Sequence, residues 1–458
     1  MRLSNRAPEP IHVLRWLALW GLGVIVPASL PVVAIVSPSP VTATPVTLIR
    51  PRWVAQASGT PAQPQTNSGE FPPNPLEITT PDPLLPNADR PLTAQEQRTL
   101  IEALDNLNTQ AIAQSKAGNG VAAYEIWNRE LRLRRALGPL AEVKALGRVG
   151  GTAWEDSQAT QVRLITERLQ KIQAATPPSD NGEAIGLRRA LGEAYLRVRN
   201  KDLALGIYTQ TLAEARQRQD ATLEEMTLTT IADLHLNWFD YPNAAEAYQA
   251  LLPLVTIRGD ILPPKPKPGQ TEADREPIRL NQADVLRKLS YAYEQNKQPA
   301  EAIVAQQQLV TLYQRKKQAD PIPALKLAIA INYEALGKSE AAIENYQQSY
   351  LLAQPVQQYA YAADALQRLG TLYRTENKLD SALRIYQFLV DVEQQSYNVY
   401  GKMNAFDQIA QIHLARKNYP QALAALQQGL TLAKQLKYRE DYFNTQIQKV
   451  MESSKTGS

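Results

Sequence analysis

Three histidines occur in the 458 residues, at positions 12, 235 and 413, and there is no cysteine. A histidine-based metal or acid–base site would have to draw on His235 and His413, while disulfides, thiolate zinc sites and thiol nucleophiles are excluded. Both histidines stand where equivalent segments carry tyrosine, which assigns them to packing between helices. Oxygen-ligand chemistry needs carboxylates that converge, and Asp284, Glu294 and Asp364 are the residues to bring together. Gly118-Asn119-Gly120 is half of a phosphate-loop pattern, but no strand precedes it and a turn between helices accounts for it. No complete phosphate loop, HExxH, GxSxG or EF-hand sequence occurs. Arg129, Arg132, Arg134 and Arg135 form the densest basic cluster. They would suit an anionic partner or lipid headgroup, but the expectation is a solvated helix face. The reactive residue types thus predict no catalytic activity and no cofactor.

The elements that position these residues follow from spacing. A Leu/Ile–Gly/Ala pair recurs, followed three residues later by an aromatic or histidine and twelve residues after the small residue by alanine. Leu191-Gly192 with Tyr195, Ala204 and Tyr208 is one copy; Leu369-Gly370 with Tyr373, Ala382 and Tyr386 is another. The small residues stand at 192, 232, 290, 330, 370 and 410, a period of 40 broken once by an interval of 58. The polar, proline-rich stretch 258–277 accounts for the longer interval. Weaker copies at Ala111 and Gly147 bring the count to eight. Apolar residues at three and four spacings, with breaks at Asn200-Lys201, Gly337-Lys338, Asn377-Lys378 and Asn418-Tyr419, predict two helices per repeat. Pro242, Pro299 and Pro420 fit the first turn of second helices, where no intrahelical hydrogen bond is lost. Thr93 with Glu96 fits a capping box that opens the ordered array. The small residues let antiparallel helices approach closely and the aromatics fill the space beside them.

This pattern resembles the tetratricopeptide repeat in its longer form of about 40 residues, over roughly residues 94–452. The resemblance implies an all-α, right-handed superhelical solenoid of antiparallel helix pairs, with a groove lined by first helices that holds peptides or protein partners. Transferred onto this sequence, the groove positions are Arg189, Glu193 and Arg197 in one repeat and Asp233 and Asn237 in the next. Asp284, Arg287, Tyr291 and Glu294 follow, then Asp364 and Arg374, then Asp407 and Gln411. Their mixed signs suit an extended peptide with its own mixed charges. No repeat carries the Lys and Asn pair with which one subfamily clamps a C-terminal carboxylate. Tyr438–Glu452 suits a terminal cap.

Seventeen of the 32 prolines lie within residues 1–91 and six within 253–277, so helical sequence is kept proline-poor. The net charge of +4 resides in the leader: residues 1–57 hold five arginines and Glu9, leaving 44 basic and 44 acidic residues. A neutral body lacks the excess charge that drives sequence-independent phosphate binding, so no nucleic-acid partner is expected. From Trp16 to Val36 run 21 residues without a charge, preceded by Arg2, Arg6 and Arg15. Residues 1–36 are therefore expected to act as a signal peptide or signal-anchor, the only membrane contact, and the remainder to be exported to a periplasm or thylakoid lumen. Residues 37–92, with thirteen prolines, read as a disordered spacer ahead of an array at 93–452. Gln-rich helices and the Ala55-Gln56-Ala57 site resemble cyanobacterial exported repeat proteins, which implies a scaffold or assembly factor. A polysaccharide-associated protein, marked by stacked exposed aromatics along the groove, and a metal-delivering factor are the alternatives.

Overall fold

The computed structural model describes residues 74–86, 90–176, 182–259 and 279–456. The leader 1–36, the spacer as far as residue 73, and all but the first two residues of the 258–277 insertion lie outside the described residues. The chain divides at Gly69, and the unit described below begins at Glu70.

Among the described residues there are seventeen α-helices and no strand. They form eight consecutive pairs and a last single helix. The pairs are α1 (Ala94–Lys116) with α2 (Gly120–Arg134), α3 (Pro139–Glu155) with α4 (Ala159–Ala175), α5 (Gly182–Arg197) with α6 (Lys201–Gln217), and α7 (Ala221–Asn237) with α8 (Tyr241–Arg258). Then come α9 (Gln282–Gln295) with α10 (Pro299–Arg315), α11 (Ile322–Ala335) with α12 (Ser339–Ala353), α13 (Tyr359–Thr375) with α14 (Leu379–Gln395), and α15 (Val399–Ala415) with α16 (Tyr419–Leu436). Helix α17 (Glu440–Thr456) ends the series. Apart from α3 and α5, which pack most on one another, each helix packs chiefly on its neighbours in sequence, which makes the unit a solenoid.

The helix starts carry the chemistry read from sequence. At α1 the Thr93 hydroxyl accepts from the Glu96 amide and the Glu96 carboxylate accepts from the Thr93 amide, a closed capping box. Asn281 and Asp284 form a second one at α9. Pro242, Pro299 and Pro420 all sit in the first turn of their helices.

The turns are more uniform than their sequences. Among the described residues the turns hold residues at positive φ, and from 297 to 437 these recur every twentieth position, with Arg439 an additional one in the last turn; only Gly337 among the regular series is glycine. The others include Lys297, Gln357, Tyr397 and Lys417, with φ between 56° and 58°. An L residue there costs about 1 kcal/mol, so the turn is imposed by the helices it joins rather than by its own sequence.

The repeated small residue has the packing role expected of it. A Cβ placed on Gly370 would lie 2.7 Å from the Tyr386 ring, and one on Gly192 would lie 2.8 Å from Tyr208, so glycine admits the aromatic of the paired helix. The second-to-third repeat junction departs from the rule. There α3 packs directly on α5, because Gly147, Gly150 and Gly151 leave room for Ala194, Val198 and the stem of Arg197.

Two expectations are corrected at the N-terminal end. The spacer predicted over 37–92 is not uniformly free of structure, because residues 74–86 and 90–92 fold against the first repeats. Leu76 is fully buried in the core, and Leu84, Leu85 and Leu92 cover Leu100 and Leu104. The arginine cluster is not a solvated face. Arg129 forks onto Asp82 at 2.7 and 2.9 Å, and Arg132 and Arg135 donate to the carbonyls of Pro75 and Leu76. Arg134 bridges Asp105 and Glu130. These partners lie up to 59 positions away, beyond the reach of any local pattern.

Candidate functional site

The residues transferred to the groove fall into three groups. The first is exposed. On α5, Arg189 and Glu193 pair with each other at 3.1 Å, and the Arg197 stem lies along the α3 glycines. Asn237, Asp364 and Arg374 also reach solvent, with Arg374 donating to Gln408 on the next first helix.

The second group is committed to internal partners, and for these the groove assignment is corrected. Glu294 turns into the seam, where it accepts from Gln306 at 2.6 Å and Asn332 at 3.3 Å. Asp407 is buried and clamps α17, accepting from Arg439 at 3.2 Å and the Tyr442 hydroxyl at 3.0 Å, while Gln411 donates to it at 3.4 Å. Their carboxylates serve repeat packing because a buried charge must be met by donors.

The third group converges. Asp284, Arg287 and Tyr291 lie one turn apart on α9 and, with Leu280 and Lys288, line an open depression of about 370 Å³. Arg287 pairs with Asp284 at 2.5 Å, and Lys288 reaches back to Asp233 on α7 at 2.6 Å. Asp233 also accepts from the Tyr248 hydroxyl. Burial, and then this carboxylate, push the Tyr248 hydroxyl well above the ordinary tyrosine range, so it stays a donor.

Sequence reasoning missed the aromatic edge of this depression. Tyr291, 46% exposed, meets the Tyr241 ring edge-on at 6.1 Å, and Tyr241 meets Phe239 edge-on at 6.3 Å. Phe239 is 75% exposed and has a φ of 60°. That φ is shared by the other turns of the array; what sets Phe239 apart is a bulky apolar side chain held there with little burial to offset the strain. The only prior signal was its place in the turn before Tyr241 and Pro242.

His235 is buried as predicted and also hydrogen-bonds through Nδ1 to Asp240 at 2.8 Å. Burial alone would raise the Asp240 carboxyl, but hydrogen bonds from Asn243, Lys201 and His235 hold it well below the usual range. His413 packs without a partner for its buried Nδ1, and burial followed by nearby Arg416 lowers its pKa. Asp284, Glu294 and Asp364 do not come together, and no group of three metal-binding side chains occurs among the described residues. None of the described helices is long and apolar enough to cross a membrane.

Residues 187–222, spanning α5, α6 and the start of α7, match the tetratricopeptide repeat family. No curated protein matches the chain. Solved structures with similar helix arrangements include MamA, at 16% identity over 46% of this chain and 92% of that one, with a TM-score of 0.32. The apo form of RapI is similar at 14% identity over 67% of this chain and 79% of that one, TM-score 0.37. The apo quorum sensor NprR from B. thuringiensis is similar at 14% identity over 68% and 80%, TM-score 0.30.

Proposed function

We propose that this helical-repeat chain, whose residues 187–222 match the tetratricopeptide repeat family, is a non-catalytic scaffold that holds an extended segment of a protein partner against its fourth and fifth repeats. The observation that carries this reading is the convergence of Asp233, Asp284, Arg287, Lys288 and Tyr291 around one open depression, with Tyr241 and Phe239 on its edge. Aromatics beside paired charges on rigid helices supply what a peptide site needs: apolar area with little side-chain entropy to lose, and oriented donors and acceptors that set register. The charges are balanced, so the occupant has mixed signs.

The rings meet one another edge-on at 71° and 81°, leaving no row of parallel faces for sugars to stack on. A peptide therefore fits the depression better than an envelope polysaccharide does. Among the described residues the carboxylates of Asp284, Glu294 and Asp364 stay apart, which favours the peptide reading over metal delivery. The charge-free run from Trp16 to Val36 behind three arginines supports export, with the scaffold acting in a periplasm or thylakoid lumen.

The test is capture from native membranes and soluble envelope extract with the full-length protein, against the Arg287→Ala/Tyr291→Ala variant matched in circular dichroism. A protein retained by the wild type and lost by the variant is the expected result. Equal retention by both proteins overturns the assignment of this face.

A further inference from the structure

The segment ahead of α1 is held in the manner of a bound peptide. Asn74 and Asp82 each start a tight turn: the Asn74 side chain accepts from the Leu76 amide at 2.9 Å, and that of Asp82 from the Leu84 amide at 3.0 Å. The first turn presents Leu76, which is 1% exposed, to the core of the first two repeats, and the second presents the Asp82 carboxylate to the Arg129 fork. Between them the array reads main chain, through Arg132 on the Pro75 carbonyl and Arg135 on the Leu76 carbonyl, and Lys171 pairs with Glu77.

Between residues 74–86 and the array, every cation of the ion pairs comes from the array and every anion from the segment. Elsewhere the solenoid joins its parts through small residues and buried aromatics, with side-chain pairs such as Asp407–Arg439 and Asp233–Lys288 beside them. Here one leucine is the sole fully buried side chain of the segment, Leu84 and Leu85 lie half-buried against Leu100 and Leu104, and the rest is charge-assisted recognition of side chain and backbone. A contact of that composition is specific yet weak enough to exchange, because one fully buried side chain anchors it and its two ion pairs, exposed Lys171–Glu77 and half-buried Arg129–Asp82, add little holding energy.

We propose that the face formed by Arg129, Arg132, Arg135 and Lys171 is a second peptide-recognition site, occupied in cis by residues 74–86. The partner it takes is a protein carrying an extended acidic segment with the same leucine and aspartate spacing, which displaces the internal one. This site is independent of the α7–α9 depression, so Arg287→Ala/Tyr291→Ala leaves it unchanged.

The probe is a fluorescein-labelled synthetic peptide of residues 74–86. Full-length protein opened by Leu76→Asp/Asp82→Lys should bind it saturably and at least tenfold more tightly than wild type does. Adding Arg129→Ala to the opened protein should reverse the gain, and a probe carrying Leu76→Asp should not bind. In the wild type, excess unlabelled peptide should speed deuterium uptake in the native 74–86 segment, whereas a scrambled peptide should not. Failure of the folded opened variant to bind, or equal binding of the Leu76→Asp probe, overturns the proposal. If the opened variant does not fold, unchanged uptake in the wild type at saturating peptide overturns it alone.

Discussion

The two ends of the array are closed by different physics. At the C-terminal end, α17 places Phe443, 0% exposed, where a Cβ on Gly429 would stand 2.3 Å from its ring, and Arg439 and Tyr442 converge on buried Asp407. At the N-terminal end, an irregular proline-rich segment is held by guanidinium groups. Behind it lies a charged layer: Glu130, wholly buried, meets Arg148 at 2.6 Å and Arg134 at 3.0 Å, and Glu142 meets Arg168 and Arg135. A solenoid must cover its last apolar face at both ends. The C-terminal cap does so by continuing the repeat, the N-terminal one by a contact that resembles ligand binding.

The sharpest way to test this contrast is to delete apolar bulk at each end. Phe443→Ala removes a fully buried ring from a regular helix interface that cannot collapse around the gap, and should cost about 3–4 kcal/mol. Leu76→Ala should cost about 2 kcal/mol, because its segment can relax or detach. Urea unfolding measures both, and equal losses would mean that the N-terminal segment is as integral as α17. Between these two stands Glu130→Ala. Its removal leaves Arg134 with Asp105 and Arg148 with Asn108, both also reaching water at 16% and 33% exposure, so the cost should be about 3 kcal/mol, the low end for a broken buried pair.

The difference between the ends is also the difference between what sequence revealed and what it hid. Regular repeats are written locally: Gly370 and Tyr386 are sixteen residues apart, as are Gly192 and Tyr208, Ala232 and Tyr248, and Ala330 and Tyr346, so spacing places both helices and their seam. Residues 74–86 read as spacer because their composition is proline-rich and polar, while the partners that order them are Arg129 and Arg132, 47 and 57 positions on. The same limit applied to the depression. Asp284, Arg287 and Tyr291 were visible on one helix face, but Lys288 is fixed by Asp233, 55 residues earlier, and nothing local marked Phe239 as exposed. Glu294 and Asp407 were misplaced because a transferred position gives the helix but not the neighbour that claims the side chain.

Acid should separate the two caps. The hydrogen bond from Arg129 holds the Asp82 carboxyl below its ordinary value near 3.8 against the opposing effect of burial. A depressed carboxyl contributes its stabilisation in full above the unfolded value and loses it as pH falls through the folded one. The N-terminal segment should therefore stay protected at pH 5–7 and lose protection below about pH 4. Pulsed deuterium labelling across that window checks it, with Phe443 and its neighbours expected to lag behind residues 74–86.

The smallest effect expected concerns the turns, and it links strain to function. Tyr397 and Phe239 hold left-handed φ values of 57° and 60° with 88% and 75% of their surfaces exposed, so neither gains enough burial to offset the strain. Tyr397→Gly should raise stability by about 0.5–1 kcal/mol, the left-handed cost less the entropy glycine adds to the unfolded chain, whereas Asn377→Gly should do almost nothing because asparagine tolerates that region. Phe239→Gly should stabilise the fold about as much as Tyr397→Gly. If Phe239 belongs to the partner face, that gain will come with reduced partner retention, while Tyr397→Gly retains the partner fully. A Phe239→Gly protein that is both more stable and fully competent would show that its strain serves nothing at the depression, and would confine recognition there to Tyr291 and the charges beside it.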